Sequence, residues 1–304
     1  MKSRPAVVAQ PQAGIALLLV VWLLALFTVI AGEFMASGRV KAAAEHNKRD
    51  DLSGLALALA GYRAARAALD AQLDGLELDT DGKLLLRYHG QDDAVAAAAD
   101  NVPLGDGVYS WHISDEDGLV NINKALRPVL QNLLQQCGME PGAERDTVID
   151  SILDWRDSNR DHRLNGAEED YYRGLDPAYS CKDADFDVVE ELLLVRGVTP
   201  RLFNGGEKDG KPLRGLRDLV SPRAQYPPNM GTAPKEVLEV FGKERPAPSV
   251  KPTAPPKGHF VIVATGKPAG GGPPRSLRAV VRREDAGGSR SFTLVYWNDS
   301  YIPE

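Results

Sequence analysis

The chain has 304 residues, enough for one anchored helix and one or two compact domains that each bury a core of their own. Its formal net charge of -6 and isoelectric point near 5.5 exclude a general nucleic-acid surface, whose electrostatic footprint is a basic patch. Two cysteines, Cys137 and Cys181, are too few for a disulfide scaffold; they suit either one bridge in an oxidising compartment or two unconnected buried thiols. An unstrained bridge would stabilise by about 4 kcal/mol in the chain-entropy picture.

The chain opens with a short leader charged only at Lys2 and Arg4, followed by an unbroken apolar run to Ala31. At 1.5 Å per residue, Ile15 to Ala31 spans about 25 Å, slightly short of a bilayer core but able to cross it with Gly32 near the far interface. No later stretch is apolar enough to cross again. A secretory signal would place its small residues after the apolar core, whereas here the candidate cut lies before it, at Gly14, so the helix would remain on the mature chain. An ordinary signal anchor is the alternative. The arrangement resembles the class III signal of type IV pilins and type II secretion pseudopilins, which implies cleavage between Gly14 and Ile15 by a prepilin peptidase, usually with methylation of the new terminus. Most such chains carry Glu at the fifth mature position, and here that position is Leu19.

From Ile15 to about Leu73 the Ala- and Leu-rich pattern predicts one long helix that becomes amphipathic after Glu33, with Gly32, Gly38, Gly54 and Gly61 as weak points. Short strands are expected at Leu84 to His89 and Val108 to Ser114. The middle of the chain has a helical texture, with helices at Pro128 to Gln136, Arg145 to Trp155, Phe186 to Val195 and Pro234 to Phe241, the first, third and fourth stopped at Gly138, Gly197 and Gly242. A Pro/Lys-rich connector precedes three strands, Phe260 to Thr265, Leu277 to Arg283 and Phe292 to Trp297. The economical reading is α+β: a single antiparallel sheet built from strands on both sides of an inserted helical domain. The boundaries are a leader 1–14, a membrane-spanning part 15–32, helix and first strands 33–124, a helical insertion 125–242, a connector 243–258 and terminal strands 259–304.

Within the insertion, Asp157 to Glu168 places oxygen donors at loop positions 1, 3, 5, 9 and 12, namely Asp157, Asn159, Asp161, Asn165 and Glu168, with the backbone carbonyl of Arg163 at position 7. This spacing resembles an EF-hand calcium loop, with His162 in place of the turn glycine. Asp154, Glu169, Asp170, Asp183 and Asp185 add carboxylates nearby. A solvated acidic loop is the rival reading, but alternating carboxylates with few interleaved cations repel one another unless neutralised.

These residues together resemble the GspK-like minor pseudopilins of the bacterial type II secretion system. The resemblance is carried by the Gly14 leader without a following Glu, Asp117-Gly118-Leu119-Val120-Asn121-Ile122-Asn123, Ile152-Leu153-Asp154-Trp155-Arg156-Asp157, Gly166-Ala167-Glu168-Glu169-Asp170 with Tyr172, and Phe186 to Leu192. It implies a pseudopilin fold with a long N-terminal helix on an antiparallel sheet, interrupted by a calcium-binding helical insertion. It also implies an inner-membrane anchor, a periplasmic C-terminal region, and a place at the pseudopilus tip beside other minor pseudopilins. The calcium role then falls on Asp157, Asn159 and Glu168, with Asp154, Asp161 and Asp183 beside them. Asn229-Met230-Gly231-Thr232-Ala233 departs from the family's pattern at that turn. Leu19 fits the tip position, because a subunit with no neighbour ahead has no amino terminus for a buried Glu to pair with.

Two other classes stay open on the residues. A metal-dependent hydrolase could draw on Asp154, Asp157, Glu168 and His162, although no nucleophile triad, phosphate loop or His-rich metal motif accompanies them. A DNA-uptake or type IV-like pilin is suggested by Asn121 to Ala125 and Glu190 to Val198, which resemble helix-hairpin-helix fragments, but the second lies among carboxylates.

Overall fold

The structure is a computed structural model that describes residues 13–71, 73–208, 210–245, 258–286 and 289–301. The leader as far as residue 12 and the connector from 246 to 257 lie outside the described residues.

Helix α1, Ala13–Asp70, is one continuous helix of 58 residues, about 87 Å long. Its first half stands free, with Leu17 through Ile30 exposed, and it contains the one helix segment among the described residues long and apolar enough to cross a membrane. Its second half lies on a sheet and buries Ala58, Ala65 and Leu69 against it. Gly54 and Gly61, one heptad apart, share this face, so they mark close packing and not weakness in the helix. A Cβ on Gly61 would stand 3.1 Å from the Ser110 carbonyl oxygen, and one on the facing Gly266 would stand 2.1 Å from that of Gly54.

After α1, β1 (Leu73–Leu78), β2 (Leu84–Tyr88) and β3 (Val95–Ala96) form a small sheet, and β4 (Ala98–Leu104) and β5 (Gly107–Asp115) enter a larger one. The chain then leaves the sheet. Helical elements dominate the next stretch: α2 (Arg127–Gln136), α3 (Ala143–Arg156), α4 (Glu169–Arg173), a 3-10 turn at Val189–Leu194, α5 (Pro200–Asn204), α6 (Leu216–Leu219) and α7 (Lys235–Val240). A parallel bridge joins β6 (Val120–Asn121) to β9 (Val220–Ser221), and β7 (Gly205–Lys208) pairs with β8 (Lys211–Arg214) as a hairpin. The chain returns as β10 (His259–Pro268), β11 (Arg275–Ala286) and β12 (Ser289–Tyr301).

The larger sheet has the order β12-β11-β10-β5-β4 and is antiparallel throughout. Because β10 pairs directly with β5, with Ile262 opposite Ile113, the ends of the insertion meet side by side. The α+β reading with an inserted helical part is therefore the observed one. The insertion has its own core, in which Ile122, Leu130, Leu133, Ile149, Ile152, Tyr172, Leu192 and Leu216 are fully buried.

Several expected elements differ in kind. The helix predicted from Phe186 to Val195 is only the 3-10 turn, because Asn123 pins the Phe186 backbone: Phe186 N–H donates to Asn123 Oδ1 at 2.8 Å and Asn123 Nδ2 donates to the Phe186 carbonyl at 3.0 Å. Strands β1 and β4 and the β7–β8 hairpin lie outside the expected strand segments. The unusual turn at Asn229 is well made: its Nδ2 donates to Asp115 Oδ2 at 2.9 Å, its carbonyl accepts from Ala233 N–H at 2.9 Å, and Thr232 Oγ1 donates to the same Asp115 oxygen at 2.8 Å.

Candidate metal centre in the helical insertion

The candidate centre is built from the C-terminus of α3, the loop that follows it, and the segment 181–183. Helix α3, largely buried, delivers Asp154 to the interior with no exposed side-chain surface, and Asp157 ends the helix. The loop turns back so that Gly166 packs on Asp154; a Cβ there would lie 1.7 Å from Asp154 Oδ2. Glu168 then stands at the N-cap of α4, with 2% of its surface exposed. An edge-to-face contact between Trp155 and Tyr172, centroids 5.1 Å apart, holds α3 against α4.

Both carboxylate oxygens of Glu168 are buried without a hydrogen-bond partner, as is Asp183 Oδ1. Ligand atoms of Glu168, Cys181 and Asp183 lie within 4.8 Å of one another. Burial, reinforced by the charges of Asp154, Asp183 and Asp157, pushes the Glu168 carboxyl up to about 7. Burial likewise raises the Cys181 thiol to about 12. A buried carboxylate without a donor or counter-charge is costly, so this pocket is chemically suited to a divalent cation.

The loop residues are placed differently from one another. Asp157 accepts from Asn159 N–H at 3.1 Å, and Asn159 Oδ1 accepts from Asp161 N–H at 2.7 Å, so three of the expected ligands form successive turns in an exposed stretch. Asn165, the fifth loop donor, is instead bonded to Asp150, which accepts from its N–H and its Nδ2, each at 3.2 Å. Arg163 brings its side chain and not only its carbonyl: the guanidinium reaches Asp154 Oδ1 at 2.5 Å and also binds Asp157. It thus neutralises Asp157 of the loop and the nearby Asp154, both candidate ligands. Arg160 stands 3.8 Å from Asp183, and His162 2.9 Å from Asp170.

The cysteines are not bridged, contrary to the single staple that their number allowed: both are buried free thiols. Cys137 lies beside Asp218 and Glu236, whereas Cys181 lies beside Asp183 and Glu168. Its place beside Glu168 in the candidate centre could not be read from the sequence, since only the fold brings residue 181 to residue 168. Leu19, Gly14 and Ile15 all fall on α1, with the Leu19 side chain exposed.

Residues 111–205, which run from β5 through α5, match the family model described as type II secretion system protein K. That stretch, about a third of the chain, is similar to protein K of the type II secretion system. Curated relatives agree: type II secretion system protein K of Klebsiella pneumoniae is 27% identical over 63% of this chain and 60% of its own length, and that of Aeromonas hydrophila is 32% identical over 40% and 35%. The matched stretch thus spans less than two thirds of each relative. A chain of the GspK-GspI-GspJ complex from the enterotoxigenic Escherichia coli type 2 secretion system superposes with a TM-score of 0.51 at 12% identity, over 87% of this chain and 99% of that one. The likeness extends the shared fold well beyond the matched family region.

Proposed function

We propose that this chain is a minor pseudopilin that caps the tip of the type II secretion pseudopilus and nucleates its assembly with other minor pseudopilins, for protein export across the outer membrane. The observation that carries the proposal is the split sheet: a pilin-like helix and sheet bear a helical insertion with a core of its own, too bulky for another subunit to stack above it. Residues 15–32 anchor the chain in the bacterial inner membrane by a single pass, the rest is periplasmic, and a prepilin peptidase cuts between Gly14 and Ile15 with methylation of the new terminus. Leu19 spares the tip subunit an unpaired carboxylate in hydrocarbon. The role is structural and not enzymatic.

The insertion binds calcium through Glu168 and Asp183, joined by Asp157, Asn159, Asp161, the Arg163 carbonyl and Asp154 once the Arg163 side chain yields its partners. The support is the pair of unpartnered Glu168 oxygens and the hard, oxygen-rich donor set. The ion would neutralise the carboxylates and lock the loop to α3.

The test is purification of the full-length chain from membranes with the other minor pseudopilins present. The expected result is a complex with one copy of this chain and a mature N-terminus at Ile15 by mass spectrometry. Crosslinking that finds the chain repeatedly along the shaft, or a terminus retaining residues 1–14, overturns the reading.

A further inference from the structure

We propose that Cys181, Glu168 and Asp183 form an inner face of the ion pocket that takes a thiophilic divalent cation of the zinc class, competing through Glu168 with the hard cation of the outer loop. The three residues converge from separate segments, with their ligand atoms within 4.8 Å of one another, and two of them are buried. Glu168 is 2% exposed and aims two partnerless oxygens into the cluster, and Asp183 adds a third. The position of the thiol is fixed from behind, because the Cys181 N–H donates to Glu169 Oε2 at 2.9 Å. Asp183 holds a left-handed backbone, φ 50°, at the turn that brings its carboxylate back over the thiol.

The donor set decides the class of ion. Calcium seeks six to eight oxygens, which the outer loop can supply and this inner face cannot. One sulfur and two carboxylates with a remaining open position suit a four-coordinate, borderline-soft ion. On binding, the Cys181 S–H bond breaks as the sulfur–metal bond forms, and the proton passes to solvent; no electron is transferred. The inference rests on the same pocket as the calcium reading but on a different ligand, the thiol.

Cobalt(II) and zinc(II) alone are the probes, added to the reduced full-length chain in detergent. Cobalt should give a thiolate-to-metal charge-transfer band that zinc abolishes. Cys181→Ser and Glu168→Gln should lose the band, and Cys137→Ser should keep it. A band that survives Cys181→Ser overturns the proposal, as does no band in a chain whose circular dichroism is native, or a Cys137–Cys181 bridge found by mass spectrometry in chain isolated without reductant. Calcium-dependent thermal stabilisation of the Cys181→Ser chain is read in parallel. If it persists while the cobalt band is absent in wild type, the thiol site fails and the calcium reading stands; the reverse pattern sinks calcium alone.

Discussion

Gly166 sits where any side chain would strike the buried Asp154 carboxylate, so its small size sets how closely the loop returns to α3. Gly166→Ala should push loop and helix apart and lower stability by about 2 kcal/mol, the scale of overpacking in an interior, measurable by thermal unfolding. Glu168 makes a second prediction through its titration. Its folded carboxyl is raised from 4.5 to about 7, so between those values the folded state holds a proton that the unfolded chain has released. Metal-free protein should therefore lose stability as pH rises from about 4.5 to about 7. Saturating calcium should remove that decline, because the ion favours the charged form. Melting temperatures in EGTA and in calcium across this range check it, and Glu168→Gln should flatten the EGTA curve while ending the calcium response. The alternation of oxygens from Asp157 to Glu168 was visible in the sequence because loop ligands are local. Cys181 and the Arg163 guanidinium were not, since their approach to Asp154 and Glu168 depends on how α3, α4 and the following turn pack.

At the scale of elements, α1 and the sheet meet through small residues. Ala58, Ala65, Gly54 and Gly61 line one helix face, and Gly266 of β10 would place a Cβ 2.1 Å from the Gly54 carbonyl oxygen and 2.5 Å from the Ala58 nitrogen. Both of those neighbours are backbone atoms of a rigid helix, so neither can give way as a flexible side chain would. Gly266→Val should separate helix from sheet and cost about 3 kcal/mol, whereas Gly271→Ala, with open space around it but a positive φ, should cost about 1 kcal/mol. Urea unfolding of the two variants checks the contrast. Helix length was legible because no Pro interrupts the stretch from Ile15 to Leu69 and Ala and Leu resume after the charged segment 45–51. The role of its glycines was not, since propensity marks glycine as a flaw and only the facing strand shows it as a contact. β4 escaped for a related reason: its residues are mostly exposed and include Asn101 in a left-handed conformation, Asp100 and Pro103, so neither alternation nor apolarity announces it.

At the scale of the whole molecule, the insertion is joined to the sheet by more than the two chain crossings beside β5 and β10. Glu190 of the 3-10 turn accepts from the Tyr296 hydroxyl of β12 and from Asn298 Nδ2 at 3.0 Å. Arg223 from the insertion and Arg278 from β11 stand over the Tyr296 ring at 5.2 and 5.7 Å. This contact seats the helical part on the sheet, and the sheet in turn packs on α1. Glu191, the chain neighbour of Glu190, reaches toward the candidate metal centre, accepting from Lys182 Nζ, next to Cys181, at 2.7 Å. Glu190→Ala should remove two hydrogen bonds to a half-buried charged group and cost about 2 kcal/mol. The loss should be uneven, because the insertion keeps its own core and α1 keeps its glycine-lined face. Hydrogen exchange should accelerate in β12 and in residues 189–194 while α2 and α3 stay protected. Uniform acceleration through both parts would mean that they unfold as one unit and that Glu190 does not set their seating. Glu190→Gln, which still accepts from Tyr296 and Asn298, should restore most of the protection, showing that the geometry of the contact matters more than its charge.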